Sequence, residues 1–227
     1  DLKVAHCSNT ACSAATITTL DTNGTVGLYT SVTTGGDGLG LISYYNGSSA
    51  DLKVAHCSNI ACTAATTTSV DTGADVGMHT SITIGADGFA LISYADQTNN
   101  KPKIAHCSDI PCTTATVSFL GSFGSNTNHT SAAIGADGRG FISYHDSANL
   151  DLKIANCAST TCTTATTVVL DSAGSVGLYP TVTIGTDGLP LISYFDQSNG
   201  DLKIAHCIDT ACSAATNVTL DSAGTTG

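Results

Sequence analysis

The chain has 227 residues, of which only 11% are charged, with 7 Lys and Arg against 18 Asp and Glu and a net charge of -11. That shortage of cations excludes the basic patches that hold nucleic acid, and no stretch approaches the roughly 18 consecutive apolar residues of a membrane helix. Ten cysteines at regular spacing point to an oxidising setting, extracellular or at a cell surface. No basic-then-apolar leader opens the chain, so Asp1 reads as the start of a processed or excised piece.

The chain repeats every 50 residues: DLKVAHC begins at Asp1 and at Asp51, KPKIAHC at Lys101, DLKIANC at Asp151 and DLKIAHC at Asp201. Each unit is too small for a core of its own and must bury its apolar residues against its neighbours. β-branched residues dominate and no window carries a capped 3.6-residue apolar period, so strands are the predicted element.

In chain order, residues 1–26 form a half unit of two strands, C and D, joined across Cys7 and Cys12. Strand A then runs about Leu28 to Thr34 and ends at Gly35-Gly36-Asp37-Gly38, a hairpin signal repeated at Asp87-Gly88, Asp137-Gly138 and Asp187-Gly188. Strand B follows at Leu41 to Tyr44, recurring at Leu91 to Tyr94, Phe141 to Tyr144 and Leu191 to Tyr194. A polar turn leads to strand C, Leu52 to Cys57, where alternation sets Leu52, Val54 and His56 on one face and Lys53, Ala55 and Cys57 on the other. Ala5, Ala55, Ala105, Ala155 and Ala205 mark the close approach of another layer. Strand D, Ala65 to Val70, closes at Asp71.

Four antiparallel strands per unit predict an all-β propeller with a half blade at 1–26 and full blades at 27–76, 77–126, 127–176 and 177–227, read as one repeat domain. The rival is a β-solenoid, which uses shorter coils and parallel strands. About four and a half blades imply an unpaired edge. One more A–B hairpin beyond Gly227 would close a five-bladed ring, and otherwise the edge is expected to pair with another molecule or with a longer array.

The run Leu191-Ile192-Ser193-Tyr194-Phe195-Asp196 followed by Gly200-Asp201-Leu202-Lys203-Ile204-Ala205 resembles the blade signature ISYYD...GDLKYA of bacterial extracellular β-propellers. The resemblance covers essentially the whole chain and implies blade architecture, with no activity attached. The present chain differs in having no Trp and in carrying the cysteine pairs.

Those pairs, Cys7 and Cys12, Cys57 and Cys62, Cys107 and Cys112, Cys157 and Cys162, Cys207 and Cys212, each flank a four-residue loop. Such a loop between antiparallel strands brings two Cα atoms within disulfide reach, and each clasp would contribute about 2 kcal/mol. Zinc is the competing reading, since His6, His56, His106 and His206 precede first cysteines. Alternation turns them to the opposite face, and Asn156 breaks the pattern. These histidines read as packing or hydrogen-bonding positions.

Up-and-down blades put the cysteine clasps and Asp-Gly turns at one end and gather acids at the other. A candidate ligand face there holds Asp96, Asp146 and Asp196 after strand B and Asp51, Asp151 and Asp201 before strand C, together with Tyr29, His79, His129 and Tyr179 near the axis. The acids serve as turn caps, as calcium ligands or as part of a carbohydrate site. No cofactor or metal is expected, the acids being too sparse for a strong calcium loop. No catalytic residue is assigned either, because near-equivalent acids lack the unequal pair that glycoside chemistry needs. The third unit breaks symmetry at Pro102, Pro111, Phe119, Phe123, Arg139 and His145 without forming a dyad or triad. The expectation is a non-enzymatic structural or adhesive protein of a bacterial surface, associating with itself through its open edges into a head-to-tail filament or coat. A lectin-like propeller binding a glycan is the alternative.

Overall fold

The computed structural model describes residues 1–121 and 129–224, so Phe123 lies outside the described residues. β1 (Leu2–Cys7) and β2 (Ala15–Asp21) form a two-stranded sheet. Four antiparallel four-stranded sheets follow, each in sequence order. The first is β3 (Val26–Thr34), β4 (Gly40–Asn46), β5 (Asp51–Cys57) and β6 (Ala65–Asp71). The second is β7 (Val76–Ile84), β8 (Ala90–Asp96), β9 (Lys101–Cys107) and β10 (Ala115–Phe119). The third is β11 (Thr130–Ile134), β12 (Gly140–Asp146), β13 (Asp151–Cys157) and β14 (Ala165–Asp171), and the fourth is β15 (Val176–Ile184), β16 (Pro190–Asp196), β17 (Asp201–Cys207) and β18 (Ala215–Asp221). This is a β-propeller of four-stranded blades, with no helix among the described residues.

Burial follows strand order within the blade. Every residue of β8 and β12 is buried, because a second strand is paired on both edges and covered on both faces. Fourth strands such as β6, which has no buried residue, tolerate their Thr-rich sequence. The expected alanines carry the blade contact: Ala55, Ala105, Ala155 and Ala205 are all fully buried. Ala5 is exposed.

All five cysteine pairs are disulfides across the third-to-fourth strand hairpins, with Cα atoms 4.8 or 4.9 Å apart. No thiol is left for zinc. The preceding histidines hold the other hairpin: His56, His106 and His206 each place Nε2 2.8 Å from the carboxylate of Asp37, Asp87 or Asp187 in the Asp-Gly turn. In the third blade Asn156 instead donates to the Ala211 carbonyl of the next blade, 3.0 Å away.

Two devices join successive blades. The first is an acid that closes the fourth strand of one blade and reaches into the next. Asp21 accepts from the Tyr44 hydroxyl at 2.7 Å and the Lys53 ammonium at 2.5 Å. Asp71 does the same with Tyr94 and Lys103, and Asp171 with Tyr194 and Lys203. At the remaining junction Gly121 occupies the acid's position, and Lys153 turns to Asp146 at 2.5 Å.

The second device is a close backbone approach. A Cβ on Gly77 would lie 2.6 Å from the Leu52 Cα of the preceding blade, and Gly27 and Gly177 meet Leu2 and Leu152 in the same way. With φ between +80° and +104°, these positions exclude a side chain on both counts.

Burial alone would raise the carboxyls of Asp21, Asp71 and Asp171, but the Lys and Tyr bonds outweigh it and hold them below 3.8. A depressed folded value stabilises the fold above the ordinary carboxylate range and loses that contribution as pH falls through the folded values. Equilibrium urea unfolding is therefore expected to show stability dropping below about pH 4. At pH 7, Asp71→Asn should cost about 2 kcal/mol, with Lys103 keeping Asp96 at 3.6 Å as a second partner.

Candidate functional site

The first strand of each blade lines the axis, and one ring at a 50-residue interval lies in it or, for His129, directly before it. Tyr29, His79, His129 and Tyr179 form a continuous ladder, with ring centroids 4.2, 3.8 and 4.5 Å apart in succession. The backbone explains how four rings from four blades converge. Tyr29, His79 and Tyr179 have φ of 51°, 53° and 51°, a left-handed conformation that costs a bulky residue on the order of 1–2 kcal/mol. Register shifts on either side of Leu28, Met78 and Leu178 act as bulges that turn the following ring toward the axis.

Two of the ring carbonyls are locked by the threonine that follows the next blade's ring. Thr80 donates its hydroxyl to the Tyr29 carbonyl at 2.8 Å, and Thr130 donates to His79 at 3.0 Å. Those threonines are bonded in turn to Ser43 at 2.8 Å and Ser93 at 2.9 Å. The fourth blade departs from this pattern. Pro180 replaces the threonine, and the Ser143 hydroxyl beneath it is buried without a protein partner. The axis is thus asymmetric where the blades look most alike.

The ladder lines a solvent-open cavity of about 370 Å³, with Thr30, Thr80, Ser131 and Thr181 also in its walls. Tyr29 and Tyr179 are 43% and 53% exposed, while both histidines are half-buried. Burial, and after it the neighbouring His129, pushes His79 down to about 4. Burial and then His145 lower His129 as well. His79 is therefore neutral near pH 7, offering one ring nitrogen that donates and one that accepts.

The acids expected on the same ligand face do not reach this cavity. Asp96 and Asp196 are buried and accept from Asn99 and Asn199 in their own turns. Asp146 accepts from Ala148, Asn149 and Lys153. Asp51 accepts from Ser49 at 2.7 Å. Asp151 faces Asp146 across the register, and burial holds its carboxyl above the ordinary value. Asp201 likewise lies opposite Asp196. Turn geometry accounts for the engaged acids, and no carboxylate lines the axial cavity among the described residues.

No family model matches the chain, and no curated protein matches it either. Solved structures do share the fold. An exo-β-1,3-galactanase from Clostridium thermocellum aligns over 87% of this chain and 49% of its own, at TM-score 0.57 and 10% identity. The chain thus spans about half the length of that enzyme. A GH43 β-1,3-galactosidase solved with galactodeoxynojirimycin aligns over 84% of this chain and 75% of its own, at TM-score 0.56 and 8% identity. An α-L-arabinofuranosidase from Fusarium graminearum, solved with an iminosugar inhibitor, covers 88% and 68%, at TM-score 0.60 and 15% identity.

These neighbours overturn the expectation of a non-enzymatic structural or adhesive protein assembling into a filament or coat. The fold is one that carries glycoside hydrolases, so near-identical blades are no argument against an enzyme. The physical reason is that symmetric blades still place different side chains around one axis, as Pro180 and the pair of histidines flanked by tyrosines do here.

Neutral His79 carries a consequence for stability. The unfolded chain takes up that imidazole proton near 6.5 and the folded chain near 4, so this group's contribution falls as pH drops between those values. A proton NMR titration is expected to give His79 a midpoint near 4, and His79→Phe should remove its share of the slope.

Proposed function

We propose that the protein engages a neutral saccharide at the axial cavity. The observation that carries this reading is the ladder of Tyr29, His79, His129 and Tyr179 lining an open cavity, with Tyr29, His79 and Tyr179 held on left-handed backbone. Aromatic rings present flat apolar faces to the C–H side of a sugar ring, and phenol and imidazole groups at their edges exchange hydrogen bonds with its hydroxyls. Backbone strain kept at three equivalent positions marks a place where ring orientation matters more than local stability. The neighbours named as a galactanase, a galactosidase and an arabinofuranosidase support the choice of saccharide as ligand class.

Hydrolysis by two carboxylates would need a pair about 5–10 Å apart flanking the sugar, and the described cavity walls are hydroxyl, imidazole and phenol groups. The ligand contacts are therefore assigned to the ladder and to Thr30 and Thr181 beside it, with no reaction step assigned to an acid. Five disulfides fit a secreted protein that meets such ligands outside the cytosol.

Titration calorimetry with β-1,3-galactan and arabinan oligosaccharides, run beside a reducing-end assay, tests the proposal. Binding is expected to saturate at one site. Tyr29→Ala and Tyr179→Ala should each weaken it by about tenfold, while Asp201→Asn leaves it unchanged. Absence of binding across a broad oligosaccharide panel, or binding insensitive to both tyrosines, would refute the axial site.

A further inference from the structure

Four Asn-x-Ser/Thr triplets occur in the chain, at Asn23, Asn46, Asn128 and Asn217, and the structure separates them by what each side-chain amide already does. Such a triplet accepts an N-linked glycan at a surface loop, where the amide is accessible and uncommitted. Asn128 lies outside the described residues. Asn46 is only 7% exposed, and its Oδ1 accepts from the backbone N–H of Ser48 at 2.9 Å and of Ser49 at 3.3 Å. That amide is the core of the turn between β4 and β5, and a sugar on it would have no room. Asn217 stands in β18, and its Nδ2 donates to the Leu170 carbonyl of the preceding blade at 2.8 Å. A glycan there would compete with a contact between blades.

Asn23 differs on both counts. It is exposed, together with Gly24 and Thr25, and its side-chain amide makes no hydrogen bond among the described residues. The backbone beneath it is fixed. The Asn23 N–H donates to Asp21 Oδ1 at 2.9 Å and the Thr25 N–H to the Ser48 hydroxyl at 2.8 Å, while Gly24, at φ +92°, supplies the left-handed step of the turn. This exposure belongs to the blade design. The same link recurs with Gly73, Ala173 and Ala223 at the equivalent position, all exposed and all donating a backbone N–H to the acid two residues before, Asp71, Asp171 or Asp221. Only the first link fills that exposed position with an asparagine followed by Gly-Thr.

We propose that Asn23 is a glycosylation site, the acceptor for an oligosaccharide carried on a polyprenyl pyrophosphate. In the transfer, Asn23 Nδ2 attacks the anomeric carbon. The Nδ2–C1 bond forms as the C1–O bond to pyrophosphate breaks, the amide gives up one proton, and the lipid pyrophosphate leaves with the bonding electron pair. Thr25, the hydroxyl member of the triplet, is exposed beside the acceptor. Five disulfides fit a chain that passes through an oxidising compartment, the setting in which secreted chains are glycosylated. The attached glycan adds a bulky polar cover to a surface short of charge. This assignment rests on no part of the saccharide reading, which concerns a ligand held without a covalent bond at the axis.

The whole chain, secreted from a eukaryotic cell and mapped by glycopeptide mass spectrometry, tests it. Endoglycosidase release in heavy-oxygen water converts each glycosylated Asn to labelled Asp, and a mock digestion without the enzyme scores spontaneous deamidation of Asn23-Gly24. The expected result is a glycan at Asn23, with Asn46 and Asn217 bare. Asn23→Gln and Thr25→Ala should each remove the glycan from this turn and Thr25→Ser should keep it, all with unchanged circular dichroism because both positions are exposed. A folded, secreted chain bare at Asn23, a glycan at Asn46 or Asn217 in its place, or labelling of Asn23 that is equal with and without the endoglycosidase would each overturn the proposal.

Discussion

The contact on which the rest depends is the seat of one blade on the next, where a fourth-strand carboxylate reaches the tyrosine and lysine of its neighbour. Asp21, Asp71 and Asp171 each collect a phenol and an ammonium inside a nearly dry layer, and removing one member would leave the others without full compensation. The glycines at 27, 77 and 177 permit the close backbone approach that this seat requires. Once the blades sit at that distance, first strands converge on the axis and the ring ladder follows.

Local parts of this arrangement were legible in the sequence. Strand positions followed from β-branched runs between Asp-Gly turns, and the cysteine clasps followed from a four-residue loop, because both are fixed by neighbours in sequence. The clasp between blades was not legible, since Asp21 and Lys53 lie 32 residues apart and their pairing exists only once two sheets stack. The left-handed ring residues were equally hidden. Tyr29 and His79 were identified as axial, but a positive φ is expected of glycine, and nothing in Gly-x-Tyr or Gly-x-His announces it. The acids shared a face by topology, yet turn amides and lysines took up those with the best geometry.

Uniformity misled the functional reading for a related reason. Repeated acids looked like evidence against a unique site, whereas a proline breaks the symmetry of the axis. Pro180 withdraws the hydroxyl that Thr80 and Thr130 provide and leaves Ser143 buried without a protein partner. Such a difference is small in sequence and large in chemistry, because a buried polar atom without a partner is costly. The propeller thus combines a stiff symmetric frame with a short asymmetric arc of rings, and the solved neighbours show the frame in glycoside hydrolases.

The histidines offer a direct discriminator, since one set lines the axis and another lies at the Asp-Gly turns. Imidazole resonances followed by NMR during an oligosaccharide titration separate the two. The account predicts that His79 and His129 shift in a saturable manner while His56, His106 and His206 stay fixed. Saturable shifts confined to His56, His106 and His206, with the axial pair unmoved, would contradict it.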